Sequence, residues 1–397
     1  MEYIRTHPWI TFHHRLQGDL PTLWVLLGEA ASKIEHLAGS PLMKETASRL
    51  HQIYLAKGVL ATTAIEGNTL SEEQVLLLLE GKLHLPKSKQ YLATEVDNII
   101  RACNQMAVEL RAGNIKPLSP SRICAFNEEA LRGLELEPEV RPGVFREHSV
   151  TVGRYRAAPA KDCPYLMDRL CDWLNGPDFE IPETSPELLM PLAILKAIMA
   201  HLYIAWIHPF GDGNGRTARL VELQILLEAG APTPAAHLLS NFYNQTRAAY
   251  YTRLDETSRS FNADHHKQTG AHIIGFVQYA VQGFVDGLRE QTQFVKKQHL
   301  DLTWRNVVFT NLPGTSPANE RRRQLIWGLT TAGALVVPAE IPNLNPALAV
   351  AYNQKTAKTL SRDLNALVEL GLVERVGRGY QAYTQSILAF LPLRKNG

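Results

Sequence analysis

The stretch "LAILKAIMAHLYIAWIHPFGDGNGRTARL" runs from Leu192 to Leu220. Its first half, Leu192–Ile207, is apolar nearly all round, interrupted by Lys196 and His201. Such a segment reads as a helix buried at the centre of a domain, and as too short to span a bilayer. His208-Pro209 ends it, because proline disfavours helical backbone at the residue before it. His208 is thereby held at the mouth of a rigid element, a suitable mount for a general base.

The second half changes character. Gly211, Gly213 and Gly215 allow backbone conformations that other residues resist. They lead into a helix expected from near Arg216. The N–H groups at such a helix start point outward with the positive end of the dipole behind them, which makes an anion site, above all for phosphate. Arg216 and Arg219 add two permanent charges in the first turn, where cations disfavour the helix itself. They make sense if a polyanion sits over that end. Asp212 is the one hard oxygen ligand in the turn, suited to Mg²⁺ shared with phosphate oxygens.

Around this segment the 397-residue chain reads as mostly α and as two or three domains. Apolar residues make up 45% and the net charge is +2, so the chain is neither a polycation nor an acidic tail. The start "MEYIRTHPWITFHH" lacks the basic and apolar regions of a signal peptide, and a cytoplasmic protein without membrane contact is expected. Cys103, Cys124, Cys163 and Cys171 form no CxxC pair, and four reduced, core-filling thiols are expected. There is no HExxH, and His265-His266 reads as a solvated loop pair. "SEEQVLLLLEGK" has a capping box in Ser71 and Gln74, with Gly81 beyond the end. "CPYLMDRLCDWLNG" and "RTARLVELQILLEAG" read as helices closed at Gly176 and Gly230. "REHSVTVGRYRAA" alternates about Gly153, which predicts a small β-hairpin. Residues 1–110 read as a helical region and 111–300 as a second domain. "NLPGTSPANE" (Asn311–Glu320) reads as a linker. Beyond it, 312–397 gives a helix, a second helix closed by Gly371, and a hairpin about Gly377-Arg378-Gly379, the order of a winged helix-turn-helix.

"HPFGDGNGRTAR" resembles the Fic motif, His-x-Phe-x-(Asp/Glu)-Gly-Asn-Gly-Arg-x-x-Arg, with every specified position filled. The resemblance implies an all-α Fic domain that transfers AMP from ATP to a Ser, Thr or Tyr hydroxyl of a target protein, with self-modification a further outcome. It implies that His208 takes the hydroxyl proton, Phe210 anchors the loop and Asp212 binds Mg²⁺. Gly213, Asn214, Gly215, Arg216, Thr217, Ala218 and Arg219 would surround the phosphates, with Arg216 and Arg219 at the β/γ end. "GVFREHSVTVGRYRAAP" resembles the Fic flap, with Val152, Gly153, Arg154 and Tyr155 as contacts to nucleotide and an edge for the target backbone. Tyr250 and Tyr251 resemble the paired tyrosines that approach the nucleotide, and Ser258 stands where some relatives have Asn. "ATTAIEGNTL" resembles the inhibitory helix, (Ser/Thr)-x-x-x-Glu-(Gly/Asn). Thr62 and Glu66 fall four apart on one face, and Gly67 suits the helix end. The implied brake is an ion pair between Glu66 and Arg219 that withholds the arginine from ATP.

Two other functional readings stay open: a Fic enzyme that uses another nucleotide or removes AMP, and a DNA-binding regulator whose Fic domain senses nucleotide. Residues 301–397 hold eleven Lys/Arg against six Asp/Glu. Arg321–Arg323, Lys355, Lys358, Arg362 and Arg378 are candidate phosphate contacts for DNA. A homodimer, or another protein held by the winged helix, is the competing partner.

Overall fold

The computed structural model describes residues 1–14, 16, 20–259 and 271–388; His265-His266 lies outside them. The helices, in order, are α1 (Tyr3–Thr6), α2 (Pro21–Gly39), α3 (Lys44–Ala64), α4 (Glu72–Leu79), α5 (Gln90–Arg111) and α6 (Pro120–Leu131). A hairpin of β1 (Thr151–Val152) and β2 (Tyr155–Arg156) follows. Then come α7 (Cys163–Leu174), α8 (Leu189–Ile207), α9 (Asn214–Glu228), α10 (Thr233–Ala236), α11 (Leu238–Gln245), α12 (Arg247–Arg259) and α13 (Ala271–Asn311). The chain closes with α14 (Pro317–Ala332), α15 (Pro346–Tyr352), α16 (Ala357–Glu369) and a second hairpin, β3 (Val373–Val376) with β4 (Gly379–Ala382). The expected mostly helical class with two small hairpins is therefore present.

The chain divides into two units, Met1–Gln293 and Phe294–Gly397. This differs from the expected boundaries at 110 and 312. Residues on either side of 110 share one core: Leu23, Leu55, Val59 and Ile99 lie in the same apolar cluster as Ile198, Leu226 and Phe284. The second division falls inside α13, because Trp304 and Val308 belong to the C-terminal core with Leu325 and Leu364.

Helix α8 is the axis of the first unit. Apolar residues cover its whole circumference, and it buries both faces against α9, α2 and α7. With the turn before it, Pro186–Ile207 is 22 residues, long and apolar enough by length and composition to cross a membrane. The count from Leu192 missed this, since the helix starts earlier and Lys196 is a single charge. In the fold, most of that segment is buried inside the protein. The capping box of α4 forms: Ser71 Oγ accepts from Gln74 N–H and Gln74 Oε1 from Ser71 N–H. All four cysteines are free thiols, three of them buried.

The C-terminal unit adds one helix, α15, that periodicity did not reveal because it is only 7 residues long. It also corrects the expectation for Arg321–Arg323. Asp363, 2% exposed, accepts from Arg321 Nε at 2.7 Å, Arg322 Nε at 3.0 Å and the Tyr352 hydroxyl at 3.0 Å. Arg323 is buried and donates to the carbonyls of Leu312 and Gly314 at 2.6 and 2.8 Å. The arginine run builds the core of its unit rather than a surface for phosphate. Asp363→Ala leaves these donors facing a void, and should lower the unfolding free energy of this unit by about 2–3 kcal/mol. Denaturant titration followed by Trp304 and Trp327 fluorescence measures the loss.

Candidate active site

His208 caps α8 in the left-handed region, with φ 51° and ψ 60°. A non-glycine residue there is uncommon and needs support from its surroundings. The support is Arg146. Its backbone N–H donates to the Pro209 carbonyl at 2.9 Å. Its guanidinium donates to the carbonyls of His208 at 2.7 Å, His148 at 2.6 Å, Ile207 at 3.3 Å, and Ala158. One buried cation thus ties the end of α8 to both feet of the β1–β2 hairpin.

The turn after His208 is stitched by side chains acting as backbone. Asn214 accepts from Phe210 N–H and donates to the Phe210 carbonyl, both at 2.9 Å. Phe210 is fully buried against Phe145. Asn127, also fully buried, donates to the Asp212 carbonyl at 2.9 Å and accepts from Gly143 N–H at 3.0 Å. Gly213 sits at φ 76°, and a Cβ there would meet Asn127 Nδ2 at 2.9 Å. Helix α9 begins at Asn214, two residues before the expected start, and its first bond within the turn is Thr217 N–H to the Gly213 carbonyl. The N–H groups of Asn214, Gly215 and Arg216 precede that bond, as helix starts require.

Helix α3 delivers Glu66 to the same place. It ends at Ala64, and Gly67 turns the chain at φ 108°. Glu66 forms an ion pair with Arg219 Nη2, and the Thr62 carbonyl accepts from the same nitrogen at 2.9 Å. Thr62 thus takes part through its backbone; its hydroxyl donates to Gly58 within α3. Burial alone would raise the Glu66 carboxyl, but Arg219, with Arg216 and His208, outweighs it and holds the pKa below the usual value. A Cβ on Gly215 would lie 2.1 Å from Glu66 Oε1, so a larger residue there would push the Glu66 carboxylate aside. The Arg219 side chain is 0% exposed, and its Nε and Nη1 are buried without a hydrogen-bond partner.

Glu66, His208, Asn214 and Gly215 border a cavity of about 700 Å³, within the size of small-molecule sites. Of the expected residues, His208, Asn214, Gly215, Ala218, Val152, Gly153, Arg154, Tyr155, Tyr250, Tyr251 and Glu66 line it, as does Ser258. Gly213, Thr217, Thr62 and Gly67 do not; they shape the backbone beneath. Asp212 and Arg219 are not in the lining either, and Arg219 lies behind Glu66 with its side chain 0% exposed. Arg216 is also outside the lining. It is buried between Asp212 and Glu95, at 3.2 and 3.3 Å. Glu95 was not legible as its partner, because it lies 121 residues away.

Asp212 carries a half-exposed carboxylate met by Arg216. No cluster of three or more His, Cys, Asp or Glu occurs among the described residues. The donor set therefore fits a Mg²⁺ ion held by one carboxylate plus oxygens from a bound phosphate, rather than an all-protein cage.

Burial and the charge of Arg146 push the His208 pKa down to about 4, against opposing pulls from the Ala205 carbonyl, Glu66 and Asp212. In the neutral ring one nitrogen carries no proton and can accept one. Behind the cavity, His201 Nε2 lies 2.8 Å from the Tyr250 hydroxyl, and His201 Nδ1 lies 3.1 Å from Glu222. Tyr250 is thus held by the buried His201. Tyr251 and Arg247 donate to the Ile65 and Ala64 carbonyls at 3.2 and 3.1 Å, clamping the end of α3. Sequence reasoning missed Arg146, Asn127, Glu222 and Arg247. The available signal was polar residues on otherwise apolar faces, such as Asn127 between Phe126 and Ala130.

Residues 117–226 match the family model described as Fic/DOC family, so the chain carries a Fic/DOC family domain there. "Protein adenylyltransferase fic-1" of Caenorhabditis elegans is 29% identical over 225 residues, covering 56% of this chain and 39% of that protein. Its Caenorhabditis briggsae counterpart is 30% identical over 251 residues, covering 63% and 44%. The chain therefore matches about two fifths of the length of these relatives. Among solved structures, a Fic family protein from Desulfovibrio desulfuricans aligns with a TM-score of 0.54 at 22% identity, over 92% of this chain and 97% of that one. Fic-1 from C. elegans aligns at 0.52 and 23% identity, over 70% and 73%. These two likenesses establish a shared fold.

Two expectations follow from the geometry. In an NMR titration of labelled histidine, His208 should titrate near 4 rather than 6.5, and Glu66→Gln should move it lower still, because a neighbouring anion is removed. A midpoint between 6 and 7 would contradict the burial argument. Arg146→Lys cannot reach four carbonyls; amide hydrogen exchange across residues 150–157 should accelerate at least about tenfold.

Proposed function

We propose that the cavity binds ATP and transfers AMP to a hydroxyl side chain of a target protein, with Glu66 as a built-in brake. The observation that carries this is Arg219: a buried cation with unpartnered Nε and Nη1, beside free helix N–H groups and a neutral His208. Such a group calls for a multiply charged anion with several acceptors, as a nucleotide phosphate supplies. The matched relatives named adenylyltransferases support the same reaction.

The step is a displacement at the α-phosphorus. The target hydroxyl oxygen forms the new P–O bond, the bond to the β-phosphate breaks, and pyrophosphate leaves. His208 takes the hydroxyl proton on its free ring nitrogen. The N–H groups of Asn214 and Gly215 hold phosphate oxygens, and Arg219 takes the terminal end once Glu66 releases it. When bound, Mg²⁺ would be held by Asp212 and would neutralise phosphate charge. The hairpin covers the nucleotide: Val152 and Thr151 are exposed on its edge, which suits pairing with an extended target backbone. Catalysis here is positioning and charge stabilisation.

Incubation with α-labelled ATP and Mg²⁺, read as label incorporated into protein, tests the reading. Glu66→Gly should raise incorporation by about tenfold or more, equivalent to ~1.4 kcal/mol returned to phosphate binding. His208→Ala should lower transfer by about 10²–10⁴ while ATP still binds. Equal incorporation by wild type and Glu66→Gly would remove the brake, and transfer by His208→Ala would remove the base. Because His208 is neutral above about pH 4, the acid limb of the pH profile should lie well below pH 6.5.

A further inference from the structure

The exposed face of α16 has no role in the nucleotide site. Its inward residues are Leu360, Leu364 and Leu367, with Asp363 among them. Lys358, Ser361, Arg362 and Asn365 are all exposed. They stand at i, i+3, i+4 and i+7, so they form one ridge. Between 353 and 365 Asp363 is the only acid, and it is buried under Arg321, Arg322 and Tyr352. No acid is exposed between Lys358 and Asn365; the exposed Glu369 lies one turn beyond, at the end of α16. Lys355, Lys358, Arg362 and Arg378 form no ion pair among the described residues, whereas Arg321–Arg323 are consumed internally.

The surrounding frame gives the ridge a place. α15 precedes α16 across a four-residue turn, in which Gln354 takes φ 62°. β3 and β4 follow, paired Val373↔Ala382 to Val376↔Gly379, with an added bridge from Val336 to Tyr380. At the tip Gly377 turns at φ 59°, and Arg375 and Arg378 are exposed. Helix, tight turn, helix and basic hairpin form the frame that sets a second helix into a major groove.

We infer that the C-terminal unit reads duplex DNA, with α16 in the major groove and the β3–β4 tip on the flanking phosphates. The ridge from Lys358 to Asn365 is about 10 Å long at 1.5 Å per residue, roughly three base pairs at 3.4 Å. Lys358 and Arg362 supply phosphate or guanine contacts, and Asn365 offers the paired donor and acceptor that match adenine. A protein partner would need an apolar anchor at the centre of its contact; the exposed side chains from Lys358 to Asn365 are all polar, and the exposed Val368 lies one turn beyond them. The inference does not depend on the nucleotide site, which lies in the other unit.

The test uses the full-length protein and a fluorescein-labelled mixed-sequence duplex of about thirty base pairs. Anisotropy should show binding that weakens with salt, with a log–log slope of about −3 to −4 for four neutralised phosphates. The double variant Lys358→Glu/Arg362→Glu should bind about 100-fold more weakly and flatten the slope by about two. Lys87→Glu/Lys89→Glu, exposed in the first unit, should bind as wild type. Both variants should unfold at the wild-type temperature, since every substituted side chain is exposed. Selection from a randomised duplex library should then return a short preferred site that Asn365→Ala relaxes at one position.

Absence of salt-dependent binding overturns the inference, as does equal binding by wild type and the α16 variant. Equal loss in the Lys87/Lys89 variant reduces the effect to bulk charge and also overturns it. If the α16 variant instead dissociates a dimer in sedimentation while DNA binding is unchanged, the ridge is a protein interface and the inference fails.

Discussion

Arg219 carries a full charge with none of its side chain exposed, and much of the first unit is arranged around that fact. A buried cation is tolerable only with an anion and hydrogen-bond acceptors close by. Glu66 and the Thr62 carbonyl provide them on one nitrogen and leave two others unmet. The arrangement is therefore complete in charge and incomplete in hydrogen bonds. It favours glycine at 215, where a Cβ would displace the Glu66 carboxylate. It also explains why α3 must be part of the same core as α9.

The loop that presents His208 shows the same economy. Its backbone groups cannot pair with a helix or sheet, so Asn214, Asn127 and Arg146 take that role from three different segments. Each is buried, and each uses several of its donors or acceptors at once. Removing any of them would leave more than one buried group unpaired, at a cost of about 1–3 kcal/mol for each. The left-handed conformation of His208 persists because Arg146 grips the carbonyls around it. The same cation helps keep the imidazole neutral.

Several features were legible in the sequence because they are local. The apolar run ending at His208-Pro209, the glycine turn, the Ser71–Gln74 box and the Gly153 hairpin all follow from residues within one or two turns. Glu66 was legible by spacing, and its resemblance to a known signature gave it a partner. The rest depended on long-range placement. Thr62 looked like a hydroxyl and acts as a carbonyl. Arg216 looked like a phosphate ligand and lies with Glu95 and Asp212. Arg321–Arg323 looked like a basic surface, yet Asp363, some forty residues on, turns two of them inward. Charge runs do not state their partners, and that decides which cations remain free.

The geometry around Glu66 also limits how the brake can yield. The Glu66 N–H donates to Thr63, and the carbonyls of Ala64 and Ile65 are held by Arg247 and Tyr251. Gly58 lets α3 approach so closely that a Cβ there would lie 2.2 Å from His237. Lifting the helix would expose Leu55, Ala56 and Val59 and break the bonds from Arg247 and Tyr251 together. The Glu66 carboxylate, by contrast, hangs from a flexible side chain that is 32% exposed. Turning it away keeps α3 packed, but it leaves the buried Arg219 without a counter-charge unless another anion takes the place of Glu66. An anion offering Arg219 more acceptors than Glu66 can compete for that pair with the backbone of α3 left in place.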